Sequence, residues 1–214
     1  MKYYIYISAT KVDMLYRQIP RRIMKRIAAD LRINVGVVSA GVKQSEQQET
    51  LISQTSVLTR YVRSHENVGS VASSQPYIEG NASLRWGTLV DYASDLVIFG
   101  GVVGDAVLAL IGSSGSLVGQ SPRLEAEQKG WHSINYYTMR FLNGVVGASP
   151  EAEASLKSVD GERYNGAMRL AVEAINQLPP RPNRLEFLAK RLFVEEDDKR
   201  LLVVAAPIYV AMAE

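Results

Sequence analysis

The chain has 214 residues, no cysteine, 47% hydrophobic residues and a formal net charge of +2. That length fits a single domain over residues 1–214 and can bury roughly 70% of the surface its unfolded chain exposes. Without thiols there is no disulfide framework, no cysteine nucleophile and no cysteine metal site.

The small net charge hides an asymmetry. Up to Glu66 there are 11 Lys or Arg against 5 Asp or Glu, and beyond it 13 against 17, so the first third carries +6 and the rest −4. Such a bias points mildly to an anionic partner for the first third. Residues 1–7 are too short and too aromatic for a signal peptide. No run approaches the ~18 apolar residues of a membrane span, so a cytoplasmic protein is expected.

Residues 2–7 are rich in Tyr and Ile and read as a strand. Ser8 or Thr10 is placed to cap a helix starting near Lys11 or Val12. Pro20 separates that short helix from the next, because proline cannot continue the helical ladder. In residues 21–31, Ile23, Met24, Ile27, Ala28 and Leu31 share one arc, while Arg21, Arg22, Lys25, Arg26 and Arg32 share the other. Residues 33–42 read as a second strand. Residues 45–66 follow as a long helix, with Ser45 as N-cap, a stripe of Leu51, Leu58, Tyr61 and Val62, and Gly69 near a left-handed stop.

The middle of the chain organises the rest. Residues 84–90, 96–99 and 107–111 are apolar runs between turn-rich breaks, expected to pair antiparallel as a central meander because the gaps are too short for parallel crossovers. Turns are expected at 91–94, after Gly100-Gly101 and at Gly112 to Gly115, with a short fourth strand at 116–119. Ser121-Pro122 and Ser149-Pro150 each open a helical region, and Pro179-Pro180 closes the second. Residues 183–193 read as a helix with Glu186 and Lys190 at i,i+4. Residues 195–200 read as a charged, solvated turn. Two final strand segments, 201–206 and 208–212, flank a kink or edge at Pro207. The expected class is α+β: one mainly antiparallel mixed sheet built on the central meander, with amphipathic helices packed against it.

Few residues suggest chemistry. His65 and His132 are the only histidines, and no metal-ligand spacing accompanies them. Neither a metal nor a cofactor is expected. At the first strand–helix junction, Ser8, Thr10 and Lys11 combine free helix amides, hydroxyls and a cation, which suits an anionic group; an ordinary capped helix explains them too. Ser113, Ser114 and Ser116, among closely spaced glycines, form a tip whose amides could converge on a phosphate. The tip lacks the Lys-Ser or Lys-Thr of a P-loop, and a hairpin turn with solvated serines is the alternative. Arg85 stands beside Trp86 as a further cation. The basic arc of Arg21, Arg22, Lys25 and Arg26 suits an acidic protein or nucleic-acid phosphates, though no RNA-binding aromatic motif accompanies it.

The blocks YYIYISATKVDMLYRQIP (3–20), LRWG (84–87), LVIFGG (96–101), LALIGSSGSLVG (108–119), EFLAKRL (186–192) and APIYVAMAE (206–214) resemble an uncharacterised bacterial family described only as a domain of unknown function. The resemblance spans nearly the whole chain and implies one intact domain. Members tend to carry Asp where this chain has Ala9. The family implies no activity or cofactor.

Three functions are expected to compete. The first is a non-enzymatic binding or signalling domain for an anionic small molecule, a nucleotide or a protein partner, with Ser8, Thr10, Lys11, Arg85 and the tip serines as contacts. The second is an enzyme acting on a phosphorylated or nucleotide substrate through Lys11, Asp13 and a tip serine. The third is a structural subunit whose basic helix docks an acidic partner. Convergence of the junction and the tip favours the first two.

Overall fold

A computed structural model of the chain describes residues 2–32, 44–89, 94–119, 168, 171–172, 174–196 and 200–213. The order of elements is β1 (Tyr4–Ile7), α1 (Ala9–Tyr16), α2 (Arg21–Asp30), α3 (Gln44–His65), β2 (Val68–Gly69), β3 (Tyr77–Leu89), β4 (Ser94–Val103), β5 (Ala106–Ser113), a 3-10 turn (Ser114–Ser116), β6 (Asn183–Glu196) and β7 (Leu201–Met212). The coarse class is α+β, with helices and a seven-stranded mixed sheet. Along the sheet the order is β1-β7-β5-β4-β3-β2, and β6 pairs with both β3 and β7. That double pairing closes β3, β4, β5, β7 and β6 into a five-stranded barrel. β3, β4 and β5 run antiparallel in succession, but β5 meets β7 in parallel.

Alternation along the strands sorts side chains to the two faces of the barrel. Its interior holds Leu84, Val97, Phe99, Leu108, Leu110, Leu185, Phe187, Ala189, Val203 and Ala205, with Tyr6 of β1 among them. Each large apolar side chain buried there stabilises the fold by roughly 1.5–3 kcal/mol. Two outer faces are also covered. Leu96, Ile98, Val107, Ala109, Leu202 and Val204 cluster with Met168, Ala171, Ala174 and Ile175. Ile7, Leu188, Tyr209 and Ala211 cluster with Val12 and Tyr16 of α1, Ile27 and Ala28 of α2, and Val57, Leu58 and Val62 of α3. The β4–β5 connection is the two-residue loop Gly104-Asp105, where glycine takes φ +60° at the first position as a type II′ hairpin requires.

Several expectations from the sequence are corrected. Residues 183–193 are a strand, not a helix. Leu185, Phe187 and Ala189 alternate into the barrel, while Leu188 faces the helices. Burial on both faces erases the polar half of a strand pattern, and the barrel's ladder overrides helix propensity. Glu186 and Lys190 are therefore about 13 Å apart along a strand, and Glu186 pairs with Lys2 instead.

Glu195 is not in a solvated turn but is buried within β6. Gly100-Gly101 lies inside β4, and Gly112-Ser113 inside β5. Residues 116–119 form a turn with one bridge rather than a strand. Gly69 belongs to β2 without a left-handed φ; a Cβ there would collide with Ser73. Ser45 lies within α3 rather than capping it. Leu31, placed on the apolar arc, is exposed. The two segments that flank Pro207 are one strand, β7, with a register irregularity at the proline. The strand expected at 33–42, the turn at 91–93, and the helical regions between 121 and 167, with Trp131 and His132, lie outside the described residues.

Candidate functional site

The site begins where β1 ends. Ser8 donates its backbone N–H to Ile208 O at 2.9 Å, which pins the chain against β7 as it turns into α1. Its carbonyl accepts the first helical bond, from Val12 N at 2.9 Å. Ser8 is the N-cap, and its side chain makes no capping bond. The amides of Ala9, Thr10 and Lys11 thus open α1 without helical acceptors. Thr10 sits inside the helix and is exposed, so it is not the cap.

Lys11 reaches back one turn. Its Nζ donates to Ser8 Oγ at 3.4 Å, a long contact. Ser8 is only 5% exposed and Lys11 is half-buried. Burial pushes the Lys11 ammonium down to about 8, with no compensating carboxylate among the described residues. Asp13, the nearest acid in sequence, accepts instead from Arg17 Nε at 2.9 Å. Lys2 shows the contrast. Burial pulls it down too, but Glu186 and Tyr209 outweigh that and hold it above its ordinary value. Lys2 pairs with Glu186, donates to Tyr209 Oη at 3.2 Å and sits 4.5 Å from that ring's centroid.

The serine tip comes to the same end of the barrel. After β5, the 3-10 turn carries Ser114 and Ser116. Leu117 bridges Tyr6 antiparallel, and Val118 N donates to Ile5 O at 2.8 Å. Ser8 lies two residues beyond that bridge and Ser116 one before it, which places their backbones within about 10 Å. Gly112 makes the seam possible: a Cβ there would collide with the Tyr6 ring and hydroxyl. Gly115 has no such constraint.

Other candidates stand apart. Arg85, half-buried, pairs through its backbone with Gly100 on the outer face where Ile175 packs, on a strand that does not pair with β1 or β7. Arg21, Arg22, Lys25 and Arg26 are exposed on α2. His65 is exposed, stacks on Tyr61 at 4.6 Å and contacts its carbonyl, as a helix-end residue does.

Arg191 went unnoticed in the sequence. Its Nε and Nη2 are buried without a hydrogen-bond partner among the described residues. Only the strand register, which puts it on the inner face with Ala189, exposes the feature. Among the described residues no group of three or more His, Asp or Glu could hold a metal, and no helix is long and apolar enough to cross a membrane.

The model of a family described as a family of unknown function (DUF7019) matches residues 2–214. No curated protein and no solved structure matches the chain.

Proposed function

The chain belongs to the family of unknown function DUF7019, and from that footing we propose that it is a non-enzymatic binding protein for an anionic small molecule or nucleotide. The ligand's anionic group would sit at the start of α1, between Lys11 and the serine tip. The observation that carries this reading is the condition of Lys11. Its ammonium is partly desolvated, touches among the described residues only a neutral hydroxyl and stands at the turn where the helix amides open. Burying a cation without a counter-charge is costly. An anion would remove that cost, and the dipole of α1 would favour it further. Ser8 Oγ, not spent on a cap, and the hydroxyls of Thr10 and Ser116 would complete the coordination.

Calorimetric titration with inorganic phosphate and with adenosine monophosphate tests the reading. Binding weakened at least tenfold in both Lys11→Met and Ser8→Ala is expected. Undiminished binding in Lys11→Met would rule out the site.

The same contact favours a second reading, an enzyme acting on a phosphorylated substrate. A lysine that loses its proton near pH 8 can accept one from the Ser8 hydroxyl. Release of phosphate from p-nitrophenyl phosphate, abolished by Ser8→Ala, would select it.

A further inference from the structure

The basic face of α2 takes no part in the Ser8–Lys11 site. We propose that it is a docking strip for the phosphate backbone of double-stranded nucleic acid. Arg21, Arg22, Lys25 and Arg26 are all exposed. At 100° per residue they cover an arc of about 140°, centred on the exposed Ala29. The opposite side of the helix is already used: Ile27 and Ala28 are buried, and Ile23 and Met24 pack on the same cluster.

The four charges are unspent. Lys2 pairs with Glu186, Arg17 with Asp13 and Arg63 with Glu79. Among the described residues, none of the four α2 side chains has a hydrogen bond or ion pair. The placement of two of them also works against the helix. Arg21 and Arg22 occupy the first turn, which has no acid, and the N-cap is Pro20, which offers no side-chain oxygen. Cations at that end oppose the helix dipole. Helix stability therefore does not explain them, whereas a bound polyanion would reverse the sign of the effect.

The chemistry of the arc selects the partner. It bears no aromatic on which an unpaired base could stack, which disfavours single strands. It bears no apolar anchor of the kind that dominates protein interfaces. The apolar half faces the core, so α2 cannot lie in a lipid surface. What remains is guanidinium and ammonium contact to phosphates, which positions a duplex without reading its sequence.

Fluorescence anisotropy with a labelled 20-base-pair duplex, from 50 to 200 mM salt, tests the proposal. Two to four phosphate contacts predict a log–log salt slope of about −2 to −4. Replacing all four residues by Glu is expected to abolish binding while the melting temperature holds or rises. Lys11→Met is expected to leave duplex binding unchanged, so this result and the anion-site result can fail separately. No binding at 50 mM salt, equal binding by the four-Glu variant, or tighter binding of a polyglutamate peptide, a single strand or anionic vesicles would each overturn it.

Discussion

At the scale of the residue, two lysines of one chain meet opposite fates. Lys2 gains a carboxylate and a phenol, whereas Lys11, among the described residues, gains only a hydroxyl. The folded protein holds the Lys11 proton with a pKa of about 8, against 10.5 for the free side chain. Between those values the unfolded chain binds more protons than the folded one, so this residue makes stability rise with pH across that window. Below pH 8 the penalty is fully present, and above 10.5 it has vanished. Allowing for partial exposure, it is roughly 2–3 kcal/mol. Lys11→Met should therefore raise the melting temperature at pH 7 by about 4–12 °C and close the gap to wild type by pH 10.5. Thermal melts of both proteins across that range isolate the contribution from tyrosines that titrate nearby. A lower melting temperature for the variant at pH 7 would mean that the ammonium has a counter-charge after all. Stability gained together with binding lost is the signature of a functional group held at a structural cost.

At the scale of the element, β7 decides most. It pairs with β6 along one edge, and with β5 and then β1 along the other. Pro207 sits in the handover, after Ala205 pairs with Leu110 and before Tyr209 pairs with Ile7. It also falls at the irregularity opposite Ala189. A missing N–H is tolerated there. Pro207→Ala should change stability by less than about 1 kcal/mol, whereas Val203→Pro, in a stretch paired regularly with Leu108 and Val194, should cost about 3 kcal/mol or more. Urea unfolding measures both, and equal losses would contradict the handover.

The same element shows what the sequence could and could not disclose. APIYVA reads as strand because Ile, Tyr and Val crowd it. EFLAKRL reads as helix because Leu188 and Leu192 interrupt the alternation of Leu185, Phe187 and Ala189 and because Glu186 and Lys190 fit a helical pair. Its strand character comes from β3 and β7 on either side, partners about a hundred and about twenty residues away in the chain. The site divides similarly. Ser8 and Lys11 are one helical turn apart and legible as a junction. The tip's arrival beside them depends on a bridge between residues 6 and 117, which no local pattern encodes.

At the scale of the whole molecule, core and site share one side chain. Tyr6 is fully buried, meets Phe99 edge-on with ring centroids 5.8 Å apart, lies over Gly112 and belongs to the bridge that brings the tip to β1. Phe99 is equally buried, but its other ring contact is Trp86 at 5.7 Å, and it takes no part in the bridge to the tip. Tyr6→Ala and Phe99→Ala should each cost about 3–5 kcal/mol, since each empties an aromatic's volume from a closed interior. Their effects on anion binding should differ. At a temperature where both variants remain folded, Phe99→Ala should bind phosphate like wild type. Tyr6→Ala should bind at least tenfold more weakly, because the seam between β1 and the tip has lost the ring that seats it. Equal affinities would separate the tip from the site and leave Lys11 to act with α1 alone.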